Sequence, residues 1–168
     1  YIGNHTSLLD IPILFAAINQ PLFYVAKMEL KRVPFLGFYM QAMGMIFIDR
    51  SNRELAMASM RTAITDIEKG KSIVVFPAGT RSKSGELQPF RRGAFVIASE
   101  GRIPIVPIVI HGGGRALKSG SFSIRPSSVL VEILPVVGAD RIAELEIDQL
   151  ANELHSKFQE SLERKSNS

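Results

Sequence analysis

The sequence predicts a single α/β domain with a central, largely parallel or mixed sheet flanked by helices, and three observations carry that prediction. Short apolar, strand-like runs alternate along the chain with stretches of helical periodicity. The later runs are rich in β-branched residues and bounded by Gly, Pro or Ser, which punctuate strands. At 168 residues with 46% hydrophobic composition, the chain suffices for one packed core and does not demand a second domain.

In chain order, a helix is expected over 8–18 and a strand over 22–26 (LFYVA). The next helix, 34–43, belongs to a stretch that is apolar on nearly every face and follows Lys27, Lys31 and Arg32. Such a helix is either fully buried or in contact with lipid, its cations then at headgroup level. A strand follows at 45–49 (MIFID). The helix over 52–69 carries Leu55, Ala56, Met60, Ala63, Ile64 and Ile67 as one stripe and stops at Gly70. A strand at 72–76 (SIVVF), a helix at 92–100 and strands at 104–110 (PIVPIVI) and 128–134 (SVLVEIL) come next. Two prolines three apart make 104–110 an edge strand or an irregular wall. The last helix, 147–163, sets Leu150, Leu154, Phe158 and Leu162 toward the sheet, and disorder is expected after Arg164. Coil concentrates at 77–90 and 111–127, and long loops in a compact domain are often functional.

Composition narrows the chemistry. There is no cysteine, which excludes a thiol nucleophile, a disulfide framework and thiolate metal sites. His5, His111 and His155 are far apart, and none sits in a metal-ligand spacing. Twenty Lys and Arg against sixteen Asp and Glu give a net charge of +4, which suits an anionic ligand or a membrane surface. Nucleic acid is set aside, because the basic residues are scattered, Trp is absent and no aromatic–basic interleaving forms a stacking platform. No apolar run approaches the ~20 residues that span a bilayer. The chain opens at Tyr1 rather than Met, so a fragment is expected, with any membrane anchor outside it.

Four segments carry candidate chemistry. In Asn4-His5-Thr6-Ser7-Leu8-Leu9-Asp10, Asp10 can fold back over a polar turn to His5 Nδ1, fixing the tautomer and leaving Nε2 as a base. Taken alone, the same residues read first as a helix N-cap, with Thr6 or Ser7 opening the helix and Asp10 in its first turn. Phe76-Pro77-Ala78-Gly79-Thr80-Arg81-Ser82 follows a strand and offers backbone N–H groups, hydroxyls and a guanidinium suited to phosphate; alone it is equally a surface turn. Gly44-Met45-Ile46-Phe47-Ile48-Asp49-Arg50 ends a strand on an Asp-Arg pair, by itself an ordinary ion pair. Ile103-Pro104-Ile105-Val106-Pro107-Ile108 offers an apolar wall for an acyl chain, or a core segment.

In this order, over residues 3 to 135, the four segments resemble the glycerolipid acyltransferase family of the lysophosphatidate (1-acyl-glycerol-3-phosphate) acyltransferase type. N-H-x4-D and G-x-x-F-I-D-R are complete, and the F-P-x-G-T-R-S and proline-rich blocks follow. The resemblance implies a catalytic domain over 1–165, a disordered tail over 166–168, and transfer of a fatty acyl group from acyl-CoA or acyl carrier protein to a lysophospholipid hydroxyl. It implies His5 as general base and Asp10 as the residue that orients it, with direct attack on the thioester. Gly79, Thr80 and Arg81 would hold the substrate phosphate, helped by Lys27 and Arg50. No metal or other cofactor is implied. A membrane-associated location on the cytoplasmic face is implied, with the membrane surface and an acyl carrier protein as partners. Ala78 departs from the family's glutamate. That departure keeps open glycerol-3-phosphate or another lysolipid as acceptor, and a non-catalytic lipid-binding domain.

Overall fold

The structure, a computed structural model, describes residues 1–49, 51–121 and 123–166, with the side chain of Ser166 excepted. The chain is α/β as expected, with parallel and mixed sheets and flanking helices. Strand pairing forms two three-stranded sheets instead of one central sheet, each in its own compact unit.

The first unit comprises Tyr1–Asn19 and Phe76–Ser168. Its sheet has the order β1 (Ile2–Gly3), β5 (Pro107–His111), β6 (Leu130–Ile133). β1 runs parallel to β5 and β6 antiparallel to it. The sequence reading of 104–110 as an edge strand is corrected here, because β5 is the central strand and every residue of it is buried. Pro107 is tolerated as the first residue of the strand, and Pro104 lies outside it. Preceding β5, Ile105 makes only an isolated bridge to Val137. The exposed edge is β6.

Around this sheet stand α1 (Asp10–Ala17), α4 (Gly93–Glu100), α5 (Gly113–Ala116), α6 (Ala139–Glu144) and α7 (Ile147–Ser166). The core is Leu14, Phe95, Ile108, Ile142, Leu154 and Phe158, all fully buried. α7 packs on β5 and α4 through Leu150, Leu154, Phe158 and Ser161. A spacing of four overshoots the helical turn by about 40° per step, so Ser161 takes the inward seat that the sequence gives to Leu162. α7 runs through Ser166, and residues 167 and 168 of the expected tail lie outside the described residues.

The second unit, Gln20–Val75, holds a parallel sheet of order β3 (Ile46–Ile48), β2 (Leu22–Lys27), β4 (Ser72–Val74). β2 is central, with Val25 opposite Ile46 and Leu22 opposite Ser72. α3 (Arg53–Glu68) packs on β3 and β4. Asn52 caps it, Oδ1 accepting from Leu55 N at 2.8 Å. Gly70, at φ +92°, ends it in the left-handed conformation that glycine adopts without strain. A 3-10 helix over Met28–Arg32 leads into α2 (Leu36–Ala42). This helix is not buried: Phe35 is 92% exposed and Phe38 77%.

Candidate active site

The His5 site is assembled at the end of β1. Asn4 continues the β1–β5 ladder with its side chain: Nδ2 donates to Ile110 O at 2.9 Å and Oδ1 accepts from Ile110 N at 2.7 Å. His5 is thereby fixed just past the strand end. The chain then turns tightly, because the Asp10 carboxylate accepts from the backbone N–H of Thr6 at 2.7 Å and of Ser7 at 2.8 Å. The same oxygen, Oδ2, lies 2.8 Å from His5 Nδ1. Asp10 is wholly buried, so this bond is shielded from water. Capping by Thr6 or Ser7 is not seen: α1 starts at Asp10 without a side-chain cap. Ser7 Oγ instead donates to Leu117 O at 2.8 Å and accepts from Leu9 N at 3.1 Å.

Two further residues shape the pair, and neither was given a role from sequence. The Phe76 ring stacks on the imidazole with centroids 4.1 Å apart and planes 9° from parallel. That contact fixes the ring plane while the Asp10 bond fixes its rotation. Gly113, next to β5, lies so close to Asp10 that a Cβ there would collide with Oδ1 and crowd Thr6 Oγ1 at 3.3 Å. Only glycine lets the carboxylate occupy this position. The signal was legible as the run Gly112-Gly113-Gly114 directly after a strand, which marks close approach of something to the backbone. Phe76 was legible only as the residue before Pro77.

With Nδ1 engaged by Asp10, Nε2 is the ring nitrogen available to the cleft that His5 lines with Ala78, Gln88 and Phe90. This cleft is narrow, about 10 Å³, room for roughly one water. Phe90 closes one side of it and is anchored edge-on to Phe158 at 5.2 Å and to His155 at 5.1 Å.

The Gly79-Thr80-Arg81 turn adjoins His5 through the backbone: Ser82 N donates to His5 O at 2.9 Å. Gly79 N closes the turn on Phe76 O at 2.9 Å. Thr80 is exposed and Arg81 half-buried, and Arg81 lines neither the His5 cleft nor the larger one beside it. Lys83, two residues on, lines the larger one. Lys27 is exposed at the end of β2 in the second unit. Arg50 lies outside the described residues. Its neighbour Asp49 accepts from Ser51 N at 2.8 Å, and this bonding to Ser51 holds its carboxyl below the ordinary value.

The sequence model of the acyltransferase family matches residues 1–111, two thirds of the chain, a span that includes Asn4, His5, Asp10 and Phe76. The chain belongs to the acyltransferase family. It is 34% identical over 164 residues to a 1-acyl-sn-glycerol-3-phosphate acyltransferase of Saccharomyces cerevisiae, covering 96% of this chain and 54% of that protein. It is 35% identical over 163 residues to the 1-acyl-sn-glycerol-3-phosphate acyltransferase of Limnanthes douglasii, covering 96% and 58%. The chain thus spans about half the length of these curated relatives. Among solved structures, the 1-acyl-sn-glycerophosphate (LPA) acyltransferase PlsC from Thermotoga maritima aligns with a TM-score of 0.83 at 25% identity, over 99% of this chain and 66% of that one.

Proposed function

We propose that the chain is the catalytic part of a 1-acyl-sn-glycerol-3-phosphate acyltransferase, with His5 as general base and Asp10 as its orienting partner. The single observation carrying this reading is the 2.8 Å bond from His5 Nδ1 to a buried Asp10, which leaves Nε2 at a cleft. The relatives' names support the reaction class.

In this reading Nε2 takes the proton from the acceptor hydroxyl as its oxygen bonds to the thioester carbonyl carbon. Asp10 stabilises the imidazolium that forms. The tetrahedral intermediate collapses with cleavage of the carbon–sulfur bond, and the proton held on Nε2 passes to the departing thiolate. The ester and a free thiol result, with no acyl-enzyme. The donor is acyl-CoA or acyl carrier protein. The acceptor phosphate is assigned to the Gly79-Thr80-Arg81 turn on the family resemblance, with the backbone bond from Ser82 to His5 placing the turn beside the pair; Arg81, which lines neither cleft, would have to swing toward the acceptor to engage two phosphate oxygens. Lys27 and Arg50 enter as phosphate contacts on the family resemblance alone.

A second acceptor is favoured by one observation. Ala78, where the family has glutamate, lines the same cleft as His5, so the substitution alters the wall the acceptor meets. Glycerol-3-phosphate or a different lysolipid is the alternative.

The surface of the second unit supports attachment to a bilayer. Val33, Phe35, Leu36, Phe38 and Tyr39 are exposed, Lys31 and Arg32 adjoin them, and no described helix is long and apolar enough to cross a membrane. Such a patch suits a monotopic contact with anionic lipid.

The test is thiol release from acyl-CoA with and without lysophosphatidate, glycerol-3-phosphate and other lysolipids. Acceptor-dependent release is expected, reduced by roughly 10²–10⁴-fold in His5→Ala. Release by His5→Ala at the parental rate would end the base assignment. Absence of acceptor-dependent release with every acceptor in the panel would leave a binding domain.

A further inference from the structure

Beside the His5 cleft lies a larger one, about 280 Å³, within the same unit. The two share Asn4, Thr6, Gly85 and Leu162, so anything bound in the larger one abuts the residues flanking His5. Three cations line it, Lys83, Arg115 and Lys118, with the hydroxyls of Ser82, Ser84 and Ser119, and no carboxylate does. Among the described residues, none of the three cations forms an ion pair. Glu86, the acid of the same loop, bonds to Ser84 Oγ at 3.2 Å and lines the His5 cleft instead.

The cleft wall is ordered. Buried Ser82 accepts from Gly85 N at 3.0 Å, which closes the loop carrying Lys83. The Arg115 guanidinium folds back over Gly112: a Cβ there would stand 3.2 Å from Nη2 and 2.6 Å from Ser128 O. Three like charges around one concavity repel one another, and a dianion bearing several acceptor oxygens relieves that repulsion while using the hydroxyls.

We propose that this cleft is a phosphate-binding subsite separate from the Gly79-Thr80-Arg81 turn, with Arg115 and Lys118 as its principal cations. Its ligand is a phosphate or pyrophosphate group. Two molecules bring that chemistry to an acyl transfer, a coenzyme A thioester through its nucleotide phosphates and the acceptor through its headgroup. Which of the two supplies it rests on the acyl-transfer reading; the existence of an anion site does not.

Equilibrium binding without turnover tests the subsite, using coenzyme A, pantetheine (the same thiol arm without phosphate) and glycerol 3-phosphate as probes. The parent is compared with Arg115→Ala/Lys118→Ala and with the charge-keeping Arg115→Lys/Lys118→Arg. Loss of coenzyme A binding by about tenfold or more in the alanine pair, with pantetheine unchanged, identifies the donor phosphates. The same loss confined to glycerol 3-phosphate identifies the acceptor headgroup. The charge-keeping pair should recover most of either loss, and thermal melts should coincide, since both side chains are exposed. The subsite is overturned if the alanine pair binds both phosphate probes as the parent does, if pantetheine weakens as much as coenzyme A, or if the parent binds neither phosphate probe. A parent that shows the phosphate dependence yet transfers no acyl group would refute the catalytic reading alone.

Discussion

Two interactions on one imidazole, the Asp10 bond and the Phe76 stack, set the residue-scale chemistry, and the Asn4 side chain anchors the backbone that carries it. Asp10 is itself positioned by absence, because a side chain at 113 would displace its carboxylate. We therefore expect Gly113→Ala to lower kcat on the order of 10²-fold with little change in acceptor KM, because it moves the orienting partner and touches no substrate. Steady-state kinetics beside a thermal melt decides this. A variant that melts lower but keeps kcat would make Gly113 a packing residue only. The His-x4-Asp spacing was legible because both groups lie within one turn of chain. Gly113 and Phe76 were not, since their roles exist only after residues more than 70 positions from His5 have been brought to it.

At the scale of elements, the short pieces escaped the sequence and the long ones did not. α3 and α7, with sixteen and twenty residues, present several turns of period. α5 and α6, with four and six, are too short to show one, so the expected coil over 111–127 contains a helix. The prolines of 103–108 suggested an edge because a proline N cannot join a ladder, yet Pro107 sits at the one position of β5 where this costs nothing. α7 is tied to the sheet by a polar cluster that no motif announced. Glu132 on β6 accepts from Ser161 Oγ at 2.6 Å and from Arg164 Nη2 at 2.7 Å, and lies 3.0 Å from His111 Nε2 at the end of β5. The Ser161 bond foremost, then those of His111 and the charge of Arg164, hold its carboxyl below the ordinary glutamate value. A depressed folded value means the unfolded chain takes up the proton first on acidification. The stabilisation is therefore complete above the unfolded value of about 4.3 and is lost as pH falls through the folded one. Melting temperatures followed from pH 7 down to about pH 2.5 should fall less steeply at the acid end in Glu132→Gln than in the parent, from a lower starting point at pH 7. Parallel curves would show that this cluster does not carry the acid sensitivity.

For the whole molecule, the His5–Asp10 pair and the apolar surface lie in different compact units, and each unit has its own reason for its composition. In the first, nearly every large apolar side chain of β5, α4 and α7 is buried. In the second, the 3-10 helix and α2 leave theirs in water, with only Gly37 buried between them. Sequence could not choose between a buried helix and a lipid-facing one, because both are apolar all round; the exposure of Phe35 and Phe38 removes the buried alternative. A patch of this kind is costly in water unless something covers it, and the neighbouring Lys31 and Arg32 suit the proposed contact with a negatively charged surface. Withdrawing a phenylalanine side chain from water is worth ~1.5–3 kcal/mol. Phe35→Ser/Phe38→Ser should therefore weaken co-sedimentation with vesicles containing anionic phospholipid by at least about tenfold, while thiol release from acyl-CoA in detergent with soluble acceptor stays near the parental rate. Raising salt should weaken the parent's binding to anionic vesicles and leave any binding to neutral ones unchanged, because only the charge contribution is screened. If the double variant and parent sediment equally with anionic vesicles, the patch faces something other than lipid.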